Sequence, residues 1–135
     1  MNLSPYLTFD GTCEAALTFY ASVFNAKMGD LHRYEGSPMA EQVAPEFRNR
    51  IMHGNVDIGG TVLMGSDATP EHPYQGLNGV SLSISVKTPD EADAVFAKLA
   101  EGGTVTMPIA QTFWAQRFGM LTDKFGTPWM VNCDH

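Results

Sequence analysis

His53 stands in the run Ile51 to Ile58. An imidazole whose unperturbed pKa lies near neutrality can pass a proton or act as a lone metal ligand there. The same side chain can equally be a strand histidine hydrogen-bonded to Ser66 or Asn55. Asp67 ends the next run, Thr61 to Ser66, and either contacts a ligand or caps a turn. Trp114 and Phe113 offer stacking surfaces for a ligand or a second chain, or else pack in a core. Arg117 is the lone cation of an apolar run, suited either to a bidentate clamp on a carboxylate or phosphonate or to a structural ion pair. His32, His72 and His135 fall in polar or terminal contexts and read as solvated. Cys13 and Cys133 lie far apart and form no CxxC, so free thiols are expected rather than a disulfide or a zinc site.

These side chains have to be held by regular elements. Thr88, Pro89 and Glu91 form a helix start, with Thr88 as N-cap and the acidic residue three places on. Ala92, Val95, Phe96 and Leu99 follow on one stripe and Gly102-Gly103 ends it, which predicts a helix over about 89–101. A second helix is expected after Thr12, with Ala16, Leu17, Tyr20, Val23 and Phe24 on one side, ending near Asn25. Each helix follows a strand: Leu3 to Phe9 for the first, Gly79 to Lys87 for the second. In the latter, Val80, Leu82, Ile84 and Val86 alternate with Ser81, Ser83 and Ser85, one apolar and one small polar face.

Each helix is also followed by a further strand and a hairpin. The first hairpin is Ile51 to Ile58, a Gly59-Gly60 turn and Thr61 to Ser66; the second is Phe113 to Thr122, an Asp-Lys-Phe-Gly turn and Thr127 to Asn132. Both halves therefore read strand, helix, strand, strand, strand, over about 3–67 and 79–133, joined by a Pro- and Gly-bearing linker over about 68–78. An irregular loop or short helix is expected between Gly36 and Arg48.

With 135 residues, one domain is the expectation. A formal charge of −7 with only eight Lys and Arg argues against nucleic acid, whose binding needs clustered cations. The start MNLSPYLTFDGT has no basic and no apolar leader region, and no apolar run approaches the roughly 20 residues of a membrane span. The expectation is a soluble, cytoplasmic protein with no membrane partner.

The doubled pattern, with FYASVF in the first helix, IGGTVLMGSD in the first hairpin and FWAQRFGMLTDKFGTPWMVN in the last, resembles the vicinal oxygen chelate superfamily of glyoxalase I, bleomycin and fosfomycin resistance proteins and extradiol dioxygenases. Within it, the chain is most similar to the PhnB-like subfamily, and the resemblance covers essentially the whole sequence. It implies a glyoxalase-like α+β fold in which two tandem βαβββ modules form curved mixed sheets around a cavity, residues 1–135 making a single glyoxalase-like domain. The subfamily's methyltransferase label finds no glycine-rich methyl-donor loop followed by an acidic residue in this sequence.

Carried over by motif, the superfamily's metal-ligand positions fall near Pro5, Met64, Ser81 and Met130, none of them His, Glu or Asp. No cofactor is therefore expected, with an atypical divalent-metal site as the remaining alternative. The same registration turns Met64, Val62 and Ser66 toward the cavity, opposite Asn55, Asp57 and His53, while Met52, Gly54, Val56 and Ile58 make the complementary nonpolar face. In the second module it turns inward Ser81, Ser83, Trp114, Gln116, Phe118, Met120, Met130 and Asn132. Such a mixed lining suits a small organic ligand.

Two functions stay open. One is binding of a small organic molecule, without the usual metal, in an aromatic- and serine-lined cavity. The other is a superfamily enzyme with an atypical metal site, or with metal-free acid/base chemistry at His53. The resemblance also implies a homodimer.

Overall fold

The computed structural model describes residues 1–135, which divide into two compact units, Met1–Gly76 and Leu77–His135. The first unit runs β1 (Tyr6–Phe9), α1 (Cys13–Phe24), β2 (Lys27–Met28), β3 (His32–Arg33), two short 3-10 turns (Ala40–Gln42 and Pro45–Phe47), β4 (Ile51–Ile58) and β5 (Thr61–Asp67). The second runs β6 (Leu82–Ser85), α2 (Pro89–Ala100), β7 (Thr104–Ala110), β8 (Ala115–Thr122) and β9 (Pro128–Asp134). Each unit holds one mixed sheet, ordered β1-β5-β4-β2 with β3 on β4 in the first, and β6-β9-β8-β7 in the second. In both, the opening strand lies parallel to the closing one and the remaining ladders are antiparallel. The fold is α+β, built from two βαβββ modules as expected.

Both helices form where their apolar stripes predict. In α2 the Thr88 hydroxyl accepts the Glu91 amide at 3.1 Å, Pro89 opens the first turn, and Ala92, Val95, Phe96 and Leu99 are buried. In α1, Cys13, Ala16, Leu17, Tyr20 and Val23 are buried, and Asn25 ends the helix with φ 49° in the left-handed region. Thr12 gives α1 no side-chain cap. That duty falls to Asp67 at the far end of the module, which accepts the Cys13 amide at 2.9 Å.

The first hairpin has the expected register, with Asn55 opposite Met64 and Asp57 opposite Val62. Gly59 and Gly60 both have positive φ, 60° and 95°, the conformation that a primed two-residue turn demands, and Asp57 accepts the Gly60 amide at 2.9 Å. The closing hairpin turns on Asp123, whose Oδ1 accepts the Phe125 and Thr127 amides at 2.8 and 3.0 Å and whose Oδ2 accepts the Trp129 indole N–H at 2.8 Å. A buried carboxylate with three donors thus fixes the Asp-Lys-Phe-Gly turn.

Three expectations about strands need correction. The first strand begins at Tyr6 rather than Leu3: its pairing with β5 starts at Tyr6 opposite Met64, and Leu3 stands exposed. The strand expected over 79–87 shrinks to Leu82–Ser85 against Trp129–Asn132, which leaves Val80 outside the sheet and 55% exposed. In β4 the ladder to β3 slips between His32 and Arg33, so that His53 faces His32 but Ile51 faces Arg33. The slip buries Ile51 and takes Met52 out of the nonpolar face that Gly54 and Val56 occupy.

Candidate functional site

In each module one sheet face carries the helix and the other does not. On β4 and β5 the helix takes Gly54, Val56, Leu63 and Gly65; a Cβ at Gly54 would meet Leu17 of α1 at 2.9 Å, and one at Gly65 would meet the Cys13 sulfur at 3.3 Å. The alternating positions form the open face: His53 and Asn55 on β4, Met64 and Ser66 on β5, Tyr6 and Thr8 on β1. His53, Asn55 and Ser66 therefore share the face assigned to them by alternation. The partner of His53 is neither Ser66 nor Asn55. Its Nδ1 lies 3.2 Å from the Tyr6 hydroxyl, with the two rings 5.7 Å apart. This contact leaves Nε2 as the ring atom available to a bound molecule.

Asp67 does not belong with them. As the next residue after Ser66 it points to the helix side, where it is 5% exposed and accepts the amides of Cys13 and Ile51, both at 2.9 Å. Both of its oxygens hold backbone. Burial foremost, then the charges of Asp67 and Glu14, pushes the neighbouring Cys13 thiol up to about 12.

A shallow cavity of about 310 Å³ lies in the same module, lined by Tyr34, Met39, Val43, Met52, Glu71 and His72 among others. Glu71 and His72 also border a second hollow, of about 440 Å³, with Thr8 and Tyr74. The turn that presents them is tight: Thr69 and His72 exchange both backbone hydrogen bonds, at 2.9 and 3.2 Å, with Pro70 at the position whose φ proline presets. The Tyr34 hydroxyl is held above the usual phenol range, first by burial and then by Tyr6, Asp67 and Glu71. Sequence reasoning missed these residues. Tyr34 and Met39 lie in an aperiodic loop, and Glu71 and His72 fall in what reads as linker. The Thr-Pro pair that opens the turn was the available signal.

In the second module the open face carries Ser83 on β6, Met130 and Asn132 on β9, and Phe118 and Met120 on β8, with Ser83 opposite Met130 and Met120 opposite Met130 on the other side. Trp114, just before β8, packs edge-on against Phe118 at 5.5 Å and against Phe113 at 4.8 Å. Ser81 precedes β6 and has no ladder partner. Gln116 donates from Nε2 to the Asp134 carbonyl at 2.7 Å, so its amide is engaged within the hairpin. Arg117 is turned to α2, where Nε donates to Asp93 at 3.1 Å. Of the two roles open to this cation, the structure gives the ion pair.

The metal positions implied by the superfamily motif do not fit a divalent cation. Pro5 has no side-chain donor, Met64 and Met130 offer thioethers and Ser81 a hydroxyl, whereas Mg, Mn, Ni and Zn sites use carboxylate, imidazole or thiolate. Nor do three His, Cys, Asp or Glu side chains converge anywhere in the chain.

Comparison with known proteins agrees with this architecture. Residues 1–132 match the model of the family described as 3-demethylubiquinone-9 3-methyltransferase. The chain is 34% identical over 142 residues to Protein YjdN of Escherichia coli K12, covering 98% of this chain and 95% of that one. Protein PA1353 of Pseudomonas aeruginosa is 40% identical, with a TM-score of 0.91 over 99% of this chain and 98% of that one. A PhnB protein of Bacillus cereus, itself a putative 3-demethylubiquinone-9 3-methyltransferase, is 28% identical with a TM-score of 0.83 over 98% and 99% of the two chains. At 12% identity and a TM-score of 0.68, over 100% of this chain and 94% of that one, the fosfomycin resistance protein FosX of Listeria monocytogenes shares the fold. The chain belongs to the PhnB-like family described as 3-demethylubiquinone-9 3-methyltransferase.

Proposed function

We propose that this protein binds a small organic molecule on the open faces of its sheets, without the divalent metal of the superfamily's enzymes. The observation that carries this reading is the open face of module one, where a hydrogen-bonded Tyr6–His53 pair stands among Asn55, Met64 and Ser66 on strands that a packed core would fill with apolar side chains. The aromatic and serine positions of module two, Trp114, Phe118 and Ser83, add a second surface of the same mixed character. Methyl transfer is not part of the proposal, since the chain carries no glycine-rich donor loop.

A thermal-shift screen of the purified chain against polar metabolites and cationic drugs tests the reading. A compound raising the melting temperature by several degrees at about a hundred times its dissociation constant is expected. No stabiliser at millimolar concentration would overturn it.

A second reading, metal-free acid/base chemistry, is favoured by the way Tyr6 engages Nδ1 of His53 and leaves Nε2 to a substrate. Undiminished turnover in His53→Ala, once a substrate is found, would remove it. The proposal extends to a cytoplasmic homodimer. Two buried thiols, Cys13 and Cys133, both free, suit a reducing compartment, and Phe113, 93% exposed beside Trp114, suits a surface covered by a second copy. A monomer by light scattering at micromolar concentration would overturn the pairing. No helix is long and apolar enough to cross a membrane.

A further inference from the structure

The first module carries a negative charge with no cation set against it. Its three arginines are all committed elsewhere: Arg33 to Glu14 at 2.8 Å, Arg50 to Asp10 at 3.0 Å and the Ala68 carbonyl at 2.7 Å, and Arg48 to the Ala40 and Val43 carbonyls at 2.9 and 3.2 Å. Lys27 lies at the other end of β4, opposite Asp57. Glu71 has neither an ion pair nor a hydrogen bond. Its position is nevertheless fixed, because the doubly bonded Thr69–His72 turn and Pro70 leave the backbone little freedom. The turn sets the carboxylate on the rim shared by two hollows, one holding Tyr34 and the other Tyr74. The Tyr34 side is otherwise lined by the thioethers of Met39 and Met52 and by Val43, polarizable or apolar groups, together with Gln42, Thr69 and His72, and no Lys or Arg is among them.

We propose that this hollow is a binding site for an organic monocation, an amine or quaternary ammonium with an apolar body, whose charge sits between the Glu71 carboxylate and the Tyr34 ring. The assignment rests on the small-molecule reading above and gives it a location and a ligand class. An aromatic face attracts a cation through its quadrupole, and a carboxylate without a protein counter-ion supplies the longer-range attraction. A carboxylate or phosphonate ligand would meet the opposite conditions. Asp67 lies beneath the same region and adds to the negative field that holds the Tyr34 proton in place.

The test is an NMR titration of the intact ¹⁵N-labelled chain with benzyltrimethylammonium, set against uncharged benzyl alcohol. The expected result is saturable shifts at the Tyr34, Met52 and Glu71 amides with the cation and far weaker ones with the alcohol. Glu71→Gln should bind the cation about ten-fold more weakly. It should melt with the wild type, since the side chain is exposed and unpartnered. Tyr34→Phe should bind like the wild type and Tyr34→Leu should not. Equal affinity for cation and alcohol, or unchanged affinity in Glu71→Gln, overturns the proposal. If neutral or anionic compounds instead shift the His53 and Asn55 amides while the cation shifts nothing, the cation site falls and the binding reading survives. If no compound of any class binds, both fall.

Discussion

Asp67, the last residue of β5, accepts the backbone amide of Cys13, the first residue of α1, at 2.9 Å across 54 positions of sequence. Its other oxygen takes the Ile51 amide at the start of β4, also at 2.9 Å. One carboxylate therefore joins the beginning of the helix to both strands of the hairpin on which it packs. Removing it strands two buried donors at once, each costing on the order of 1–3 kcal/mol. Asp67→Ala should lose about 2–4 kcal/mol in urea denaturation. Asp67→Asn, which keeps one acceptor and turns a donor toward the other amide, should recover only part of this. Wild-type stability in both variants would show that the bonds contribute little.

The Cys13 thiol beside this contact is shifted as well. The Cys13 pKa is raised from 9.0 to about 12, chiefly because burial disfavours the thiolate and secondarily because Asp67 and Glu14 repel it. An unfolded chain loses this proton near 9.0 while the folded chain keeps it to about 12, so the contribution to stability is whole below 9.0 and falls as pH rises through that window. Denaturation midpoints measured across the alkaline range should fall more steeply for the wild type than for Cys13→Ala. At neutral pH the folded protein's Cys13 should not react with a thiol reagent until denaturant is added.

The carboxylate also marks where sequence reading stops. Alternation along β5 sends Asp67 to the face opposite Ser66, so its orientation is legible; that the N-terminus of α1 arrives there is not, because the meeting is tertiary. That Phe118, Met120, Met130 and Asn132 share one face of the closing hairpin, and that α2 carries one apolar stripe, follow from local periodicity and were readable. Met52 was not, since one slip in the β3–β4 ladder reverses the alternation that sequence inference assumes. The Tyr34 and Glu71 hollow joins an aperiodic loop to a turn more than thirty residues later, and no periodicity connects them.

Glycines separate tolerance from intolerance without reference to any ligand. A Cβ at Gly103 would fall inside contact distance of the Thr122 carbonyl oxygen and 2.9 Å from the Asp123 Cα, both backbone atoms of the turn that Asp123 organises. That backbone can give way only by disturbing the hairpin. Gly103→Ala should therefore cost about 1–3 kcal/mol, read as a fall in melting temperature. Gly76→Ala has open space around it and should lose only what its positive φ of 77° imposes, about 1 kcal/mol.

Arg117 is the cation that the sequence leaves between two roles, and its pairing with Asp93 makes a clear prediction. The pair is half-exposed, with side chains 32% and 46% accessible, so Arg117→Met should cost less than about 1 kcal/mol and should leave ligand affinity unchanged. Trp114→Ala, on the open face against Phe118, should weaken any ligand that uses module two. A large loss of affinity in Arg117→Met, found by calorimetry, would return this residue to the binding site.

The Tyr6–His53 pair should be visible in the imidazole itself. A hydroxyl 3.2 Å from Nδ1 biases which ring nitrogen carries the proton, whichever partner donates. Ser66 lies on the same face but makes no hydrogen bond to the ring. Long-range ¹H–¹⁵N spectra of the histidine side chains should therefore show a shifted tautomer balance at His53 in Tyr6→Phe and none in Ser66→Ala. The Phe variant keeps an aromatic ring near the 5.7 Å separation seen between Tyr6 and His53, so a change in it reports the hydroxyl alone. If Ser66→Ala moves the His53 signals and Tyr6→Phe does not, the imidazole is held from β5 rather than β1, and Nε2 loses its claim to be the atom that meets a ligand.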